Sequence, residues 1–147
     1  MDHEVYMKEA LKLAEEAARD GDVPVGCVIT RNGEIIGRGR NRRESSKNAL
    51  AHAEIEAINE ACRKLGGWRL TDCDLYVTLE PCPMCAGAII NARISKLVYG
   101  AREENTGACA SVINLFEERF GHKPAIYGGV LAEECAGVLA EFFRKMR

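Results

Sequence analysis

At 147 residues the chain has the length of one folding unit, and with 47% hydrophobic and 29% charged residues it is neither disordered nor fibrous, while its apolar runs are too short to span a bilayer. A net charge of −2, from 20 basic and 22 acidic residues, excludes attraction of a polyanion by the whole surface but leaves room for a local basic patch. Seven cysteines, an odd number, behind an acidic, helix-patterned start (MDHEVYMKEA) that is no signal peptide, argue against a disulfide framework, for metal or redox use, and for a cytoplasmic protein.

Val5, Leu11, Leu13, Ala14, Ala17 and Ala18 give residues 4–19 a broad apolar face, so a helix is expected there, ended by Asp20-Gly21-Asp22. Residues 23–30 and 34–38 are β-rich and flank Arg31-Asn32-Gly33, and Asn-Gly between such runs predicts a hairpin. Residues 39–50 are polar and irregular. Residues 51–65 read as a second helix, closed by Gly66-Gly67. Residues 74–79 read as a buried strand broken by Pro81, and Pro83 suits the first turn of a helix running to about Ala92. A strand over 95–100, a loop over 101–110, a short helix near 111–119, a strand near 125–128 and a final helix near 131–146 complete the chain. No repeat or linker divides it, so residues 1–147 are expected to form one domain. The alternation predicts a mixed sheet with helices on both faces.

Two segments carry the chemistry, His52-Ala53-Glu54 and Pro81-Cys82-Pro83-Met84-Cys85, each at a predicted helix start. Cys82 and Cys85 are three residues apart and share one face of a first turn, where free N–H groups and the positive dipole end favour thiolate over thiol. His52 adds an imidazole from the second helix start. Three protein ligands leave a tetrahedral zinc one open position for water, the catalytic arrangement, and zinc lowers the pKa of that water to about 7. Glu54 stands two residues past His52, close to the metal without needing to bind it, and is the candidate proton shuttle. Two other readings of the same residues exist. One is a closed structural zinc site with a fourth ligand from Cys73, Cys109 or His122. The other is a thioredoxin-like Cys-x-x-Cys pair, which leaves His52 and Glu54 without a role.

Around these residues the sequence resembles the bacterial tRNA-specific adenosine deaminases of the cytidine deaminase-like superfamily. The likeness runs through VPVGCV (23–28), the Asn41 region, AHAEIEA (51–57), LYVTLEPCPMCAGAI (75–89), GAREENTGA (100–108), GGVLAEEC (128–135) and EFFR (141–144). The resemblance implies a three-layer α/β/α fold around a five-stranded mixed sheet, one Zn2+ per subunit and a homodimer. It implies hydrolysis of the wobble adenosine of a tRNA to inosine by zinc-activated water, with the base taken out of its stack. It also implies that Asn41, Ala53, Glu103, Phe143 and Arg144 contact the substrate, the last helix and the 102–107 loop gripping the anticodon stem-loop. Glu103 and Asn105 depart from the Asp and Lys usual in the family.

Outside the motifs, Arg38, Arg40, Arg42 and Arg43 are either a solvated strand edge or phosphate ligands. Of Phe142 and Phe143, one is expected in the core and the other against an unpaired base. Cys27, Cys62, Cys73, Cys109 and Cys135 read as core, and His3 and His122 as surface. A deaminase of a free base such as guanine, or a zinc-stabilised binding module without activity, are the competing functions. The basic FFR ending favours RNA over the first, and Glu54 argues against the second.

Overall fold

Alternating burial along three central strands fixes the architecture. Cys27, Ile29, Leu75, Val77, Leu97 and Tyr99 point to one face, while Val28, Tyr76 and Val98 between them point to the other, and all are buried. A sheet apolar on both faces must be covered on both. In the computed structural model, which describes residues 2–146, that is what the helices do.

The strands are β1 (Gly26–Arg31), β2 (Glu34–Arg40), β3 (Cys73–Leu79), β4 (Lys96–Ala101) and β5 (Ala125–Tyr127). They lie in the order β2-β1-β3-β4-β5, with β1 antiparallel to β2 and β3 and with β3, β4 and β5 parallel. Helices α2 (Ala53–Leu65) and α3 (Pro83–Ala92) pack on the first face through Ala53, Ala57, Ala61, Ala86 and Ile89. Helices α1 (His3–Arg19) and α4 (Ala132–Lys145) cover the second through Met7, Ala10 and Cys135. The expected three-layer mixed-sheet architecture is therefore the observed one. Among the described residues no helix is long and apolar enough to cross a membrane.

The small residues of α2 and β2 bring that helix unusually close to the sheet. A β-carbon on Gly39 would collide with the carbonyl of Ala53 and lie 2.7 Å from the Ala57 nitrogen. Only glycine permits this approach, and it seats the N-terminus of α2, with His52, beside the end of β3. At the hairpin, Asn32 and Gly33 take φ of 52° and 78°, the pair of positive values that a two-residue turn between antiparallel strands requires.

Boundaries differ from the sequence expectation for identifiable reasons. Strand β1 begins at Gly26 rather than residue 23, because Pro24 has no N–H and the Val23 carbonyl accepts from the Asn41 side chain. The helix expected near 111–119 is only a single 3-10 turn, Leu115–Glu117. The Ser111 N–H is committed to Glu80, those of Val112 and Ile113 turn back to Gly107, and Asn114 caps Phe116.

Candidate metal centre and active site

The two motif segments meet because both are helix N-caps at the same end of the sheet. His52 caps α2 and Cys82 caps α3, each in extended backbone, with Pro83 opening α3 and Cys85 in its first turn. His52 Nδ1 stands 3.6 Å from Cys82 Sγ and 3.5 Å from Cys85 Sγ. Among the described residues these three donors form one group, all within 4.8 Å of one another, that could hold a metal ion. Cys73, Cys109 and His122 are not part of it, so the fourth protein ligand of a closed site is not supplied. His122 Nε2 lies 2.7 Å from the Ile94 carbonyl oxygen and is half-buried, as is His3, whose Nδ1 lies 3.0 Å from the Tyr76 hydroxyl; neither is the surface residue expected.

The two sulfurs are not equivalent. The Cys85 thiol hydrogen-bonds to Cys82 and, with help from the adjacent imidazole, holds the Cys82 thiol down to about 4 despite partial burial. The same bond, together with burial and the Glu54 carboxylate, pushes Cys85 far above the usual thiol range. The hydrogen bond to Cys82 raises the His52 imidazole.

Glu54, one residue into α2, is 4% exposed. Burial pushes its carboxyl up to about 7, with the Cys82 thiolate adding to the rise, so at neutral pH it can both take and return a proton.

A cleft of about 320 Å³ opens over this group, in the range of small-ligand sites. It is lined by His52, Ala53, Glu54 and Cys82 at its base and by Asn41, Glu103 and Phe143, among others, around it. The sequence-predicted residues are thus brought together with one exception. Arg144 does not line the cleft. Its guanidinium is exposed and pairs with Glu141 at 2.6 Å, one turn back on α4. Phe143 is the ring that faces the cleft, at 47% exposure, while Phe142 is half-buried and meets it edge-on.

The four arginines separate. Arg38 is exposed, Arg40 pairs with Glu16 and Asp20, and Arg42 with Glu56, while Arg43 lines the cleft. Sequence reasoning gave no role to two buried carboxylates. Asp22, fully buried, accepts from the backbone N–H of Glu44 and Ser45 and from the Ser45 hydroxyl, tying the loop after Asn41 to the end of α1. Glu80, 2% exposed, does the same for the loop after β4. The signal available was position: an acid closing an apolar strand, two residues before a cysteine of the donor set, is buried with it.

The MafB19-like deaminase family matches residues 1–147. The tRNA-specific adenosine deaminase of Bacillus subtilis (strain 168) is 52% identical to this chain over 145 residues, covering 98% of this chain and 90% of that protein. A solved structure from studies of A-to-I editing by tRNA:A34 deaminases at the wobble position of transfer RNA superposes with a TM-score of 0.88 at 43% identity, over 91% of this chain and 98% of that one. The X-ray structure of guanine deaminase from Bacillus subtilis is more distant, with a TM-score of 0.67 at 36% identity over 99% of this chain and 95% of that one. Identity of this extent, over nearly the whole length, makes the chain a member of the MafB19-like deaminase family, in the branch of the tRNA-specific adenosine deaminases.

Proposed function

We propose that this chain is a zinc-dependent tRNA adenosine deaminase that converts the wobble adenosine of an anticodon to inosine by hydrolysis, residues 1–147 acting as one catalytic domain. The observation that carries the reading is a His–Cys–Cys donor set and a buried carboxyl at the base of one cleft. Spacing supports zinc. Nitrogen and sulfur ligands at about 2.0 and 2.3 Å from a tetrahedral ion lie about 3.5 Å apart, against 3.5 and 3.6 Å between His52 Nδ1 and the two sulfurs.

His52, Cys82 and Cys85 would hold the ion. Three donors leave one position for water, and bound zinc supplies the Lewis acidity that makes this water nucleophilic at neutral pH. Glu54 moves the protons. Its carboxylate accepts one from water and delivers it to ring nitrogen N1 as a carbon–oxygen bond forms at C6. It then carries a second proton to the amino nitrogen, which leaves as ammonia. Phe143 at the mouth offers a face on which an unpaired base can stack, and the small side chain of Ala53 leaves the base room against the α2 N-terminus. Asn41 and Arg43 add an amide and a positive charge to the same wall. With a net charge of −2, such local groups have to supply the attraction for RNA.

A homodimer fits the outer surface of α2 and α3. Leu50, Trp68 and Phe120 are each 51–60% exposed there, lining two adjoining grooves that share Ile55, Ala88 and Asn91. All seven cysteines are unpaired thiols, in keeping with a cytoplasmic enzyme. The test is incubation of the zinc-loaded protein with total tRNA, read by sequencing for adenosine-to-inosine change, alongside free adenine, guanine and cytidine. Inosine confined to a wobble position is expected. Turnover of free guanine without tRNA editing would overturn the reading in favour of a small-molecule deaminase.

A further inference from the structure

The segment from Glu103 to Ser111 carries part of the cleft wall, yet it lies outside every helix and strand. Three of its residues, Glu103, Asn105 and Thr106, line the cleft that contains His52 and Glu54. A loop of this length is ordered only if something outside it takes up its backbone donors. Three of those donors go to one side chain. Glu80 Oε1 accepts from the Glu103 N–H at 3.1 Å and from the Ser111 hydroxyl. Its Oε2 accepts from the N–H groups of Cys109 at 2.8 Å and Ser111 at 3.2 Å. The two anchored ends bracket the cleft-lining residues. Between them the backbone of Gly107 passes so close that a β-carbon there would collide with the carboxylate.

The anchor is joined to the donor set by covalent bonds. Glu80 is two residues before Cys82, and the carbonyl of the intervening Pro81 accepts from the Ala108 N–H at 2.8 Å. Both bonds fix the loop to the segment that bears a metal ligand. Within the loop, Glu103 folds its own side chain back onto the Asn105 N–H at 2.9 Å, so the one methylene by which it exceeds aspartate is taken up locally.

Glu80 itself borders the cleft, but four donors occupy its carboxylate and leave no free lone pair with which to hold a substrate.

We propose that Glu80 is a positioning residue for the deamination reaction, fixing the 103–111 wall against the metal ligands so that RNA affinity depends on a side chain whose carboxylate is wholly taken up by the loop. This rests on the tRNA-deaminase reading above. Zinc-loaded wild type, Glu80→Gln, Glu80→Asp and Ser111→Ala are compared on an anticodon stem-loop for KM and kcat, with zinc content and amide hydrogen exchange measured on each. Glu80→Gln should keep about one zinc per chain and raise KM about tenfold or more, with kcat changed less than about threefold. Its faster amide exchange should be confined to 103–111. Glu80→Asp, which keeps the charge but is one methylene short, should fall between Gln and wild type, and Ser111→Ala should raise KM about two- to threefold. Wild-type KM and loop exchange in Glu80→Gln would overturn the proposal. So would a loss of kcat with KM and exchange unchanged, which would give Glu80 a part in the chemistry. If Glu80→Gln does not fold, Ser111→Ala decides, and wild-type KM and exchange in that variant overturns the proposal equally. A wild-type protein that edits no RNA would sink the functional reading alone, because the exchange arm still reports whether Glu80 holds the loop.

Discussion

Glu54 and Glu80 are both buried carboxyls beside the donor set, and their neighbours push them in opposite directions. Glu54 is desolvated by burial, which outweighs the hydrogen bonds and the His52 charge that favour its carboxylate, and sits near 7, the value a proton shuttle at neutral pH needs. Glu80 is desolvated too, but its hydrogen-bond donors carry it below the usual range. Asp22 behaves like Glu80, because bonds from Ser45 and Glu44 outweigh its burial. For both depressed groups the sign follows from linkage. Their stabilisation is fully present above the unfolded carboxyl pKa, about 4, and is lost as pH falls through the lower folded value. Thermal melting of wild type and Glu80→Gln should therefore differ most near pH 7 and converge below about pH 4. A difference in melting temperature that stays constant over that range would contradict this account of Glu80. The cysteines divide as sharply. Cys82→Ala or Cys85→Ala should release zinc and lower the melting temperature, because metal binding is also folding energy. Single Ser replacements at Cys27, Cys62, Cys73, Cys109 and Cys135 should keep the metal, and zinc loss from any folded one of these would mean a fourth protein ligand.

At the scale of elements, the site is the meeting of two helix starts, and this much is legible in the sequence. The Pro-Cys-Pro run after an apolar strand and the His-Ala-Glu opening of an amphipathic helix fix both termini, and strand alternation fixes the layers that bring them together. What sequence could not give is where irregular segments run. The 103–111 loop is ordered by Glu80 and not by its own propensities, so a helix was expected where Ser111, Val112 and Ile113 spend their N–H groups elsewhere. Nor could helical spacing alone say which of two adjacent phenylalanines faces the cleft, or that Arg144 would be drawn to Glu141. Those contacts set the relative weight of the last helix's residues. Phe143→Ala should weaken stem-loop binding by about 1–3 kcal/mol, the range for losing one base–aromatic stack. Arg144→Ala should cost less, and mainly at low salt, because its charge is exposed and partly satisfied by Glu141. Equal losses from the two variants, measured across a salt series, would show that Arg144 leaves Glu141 for a phosphate.

Over the whole molecule, one end of the sheet gathers the donor set, Glu54 and both tethered loops, while the exposed apolar side chains of Leu50, Trp68 and Phe120 flank the grooves over α2 and α3. Dimerisation through that surface predicts that Phe120→Asp or Leu50→Asp yields a monomer by sedimentation, with zinc retained; a wild-type monomer at micromolar concentration would remove the dimer from the account. The acidic net charge confines RNA attraction to the cleft rim, so editing should fall as salt rises, with a slope set by the few basic groups there. The central claim is that His52, Cys82 and Cys85 hold a zinc ion whose water attacks a tRNA base with Glu54 moving the protons. It is tested most directly by inosine formation in total tRNA, measured by sequencing after incubation with wild type and Glu54→Ala at equal zinc content. The account predicts wobble inosine with wild type and a loss of several orders of magnitude in Glu54→Ala with its metal intact; comparable inosine from both proteins, or zinc missing from the folded variant, would contradict it.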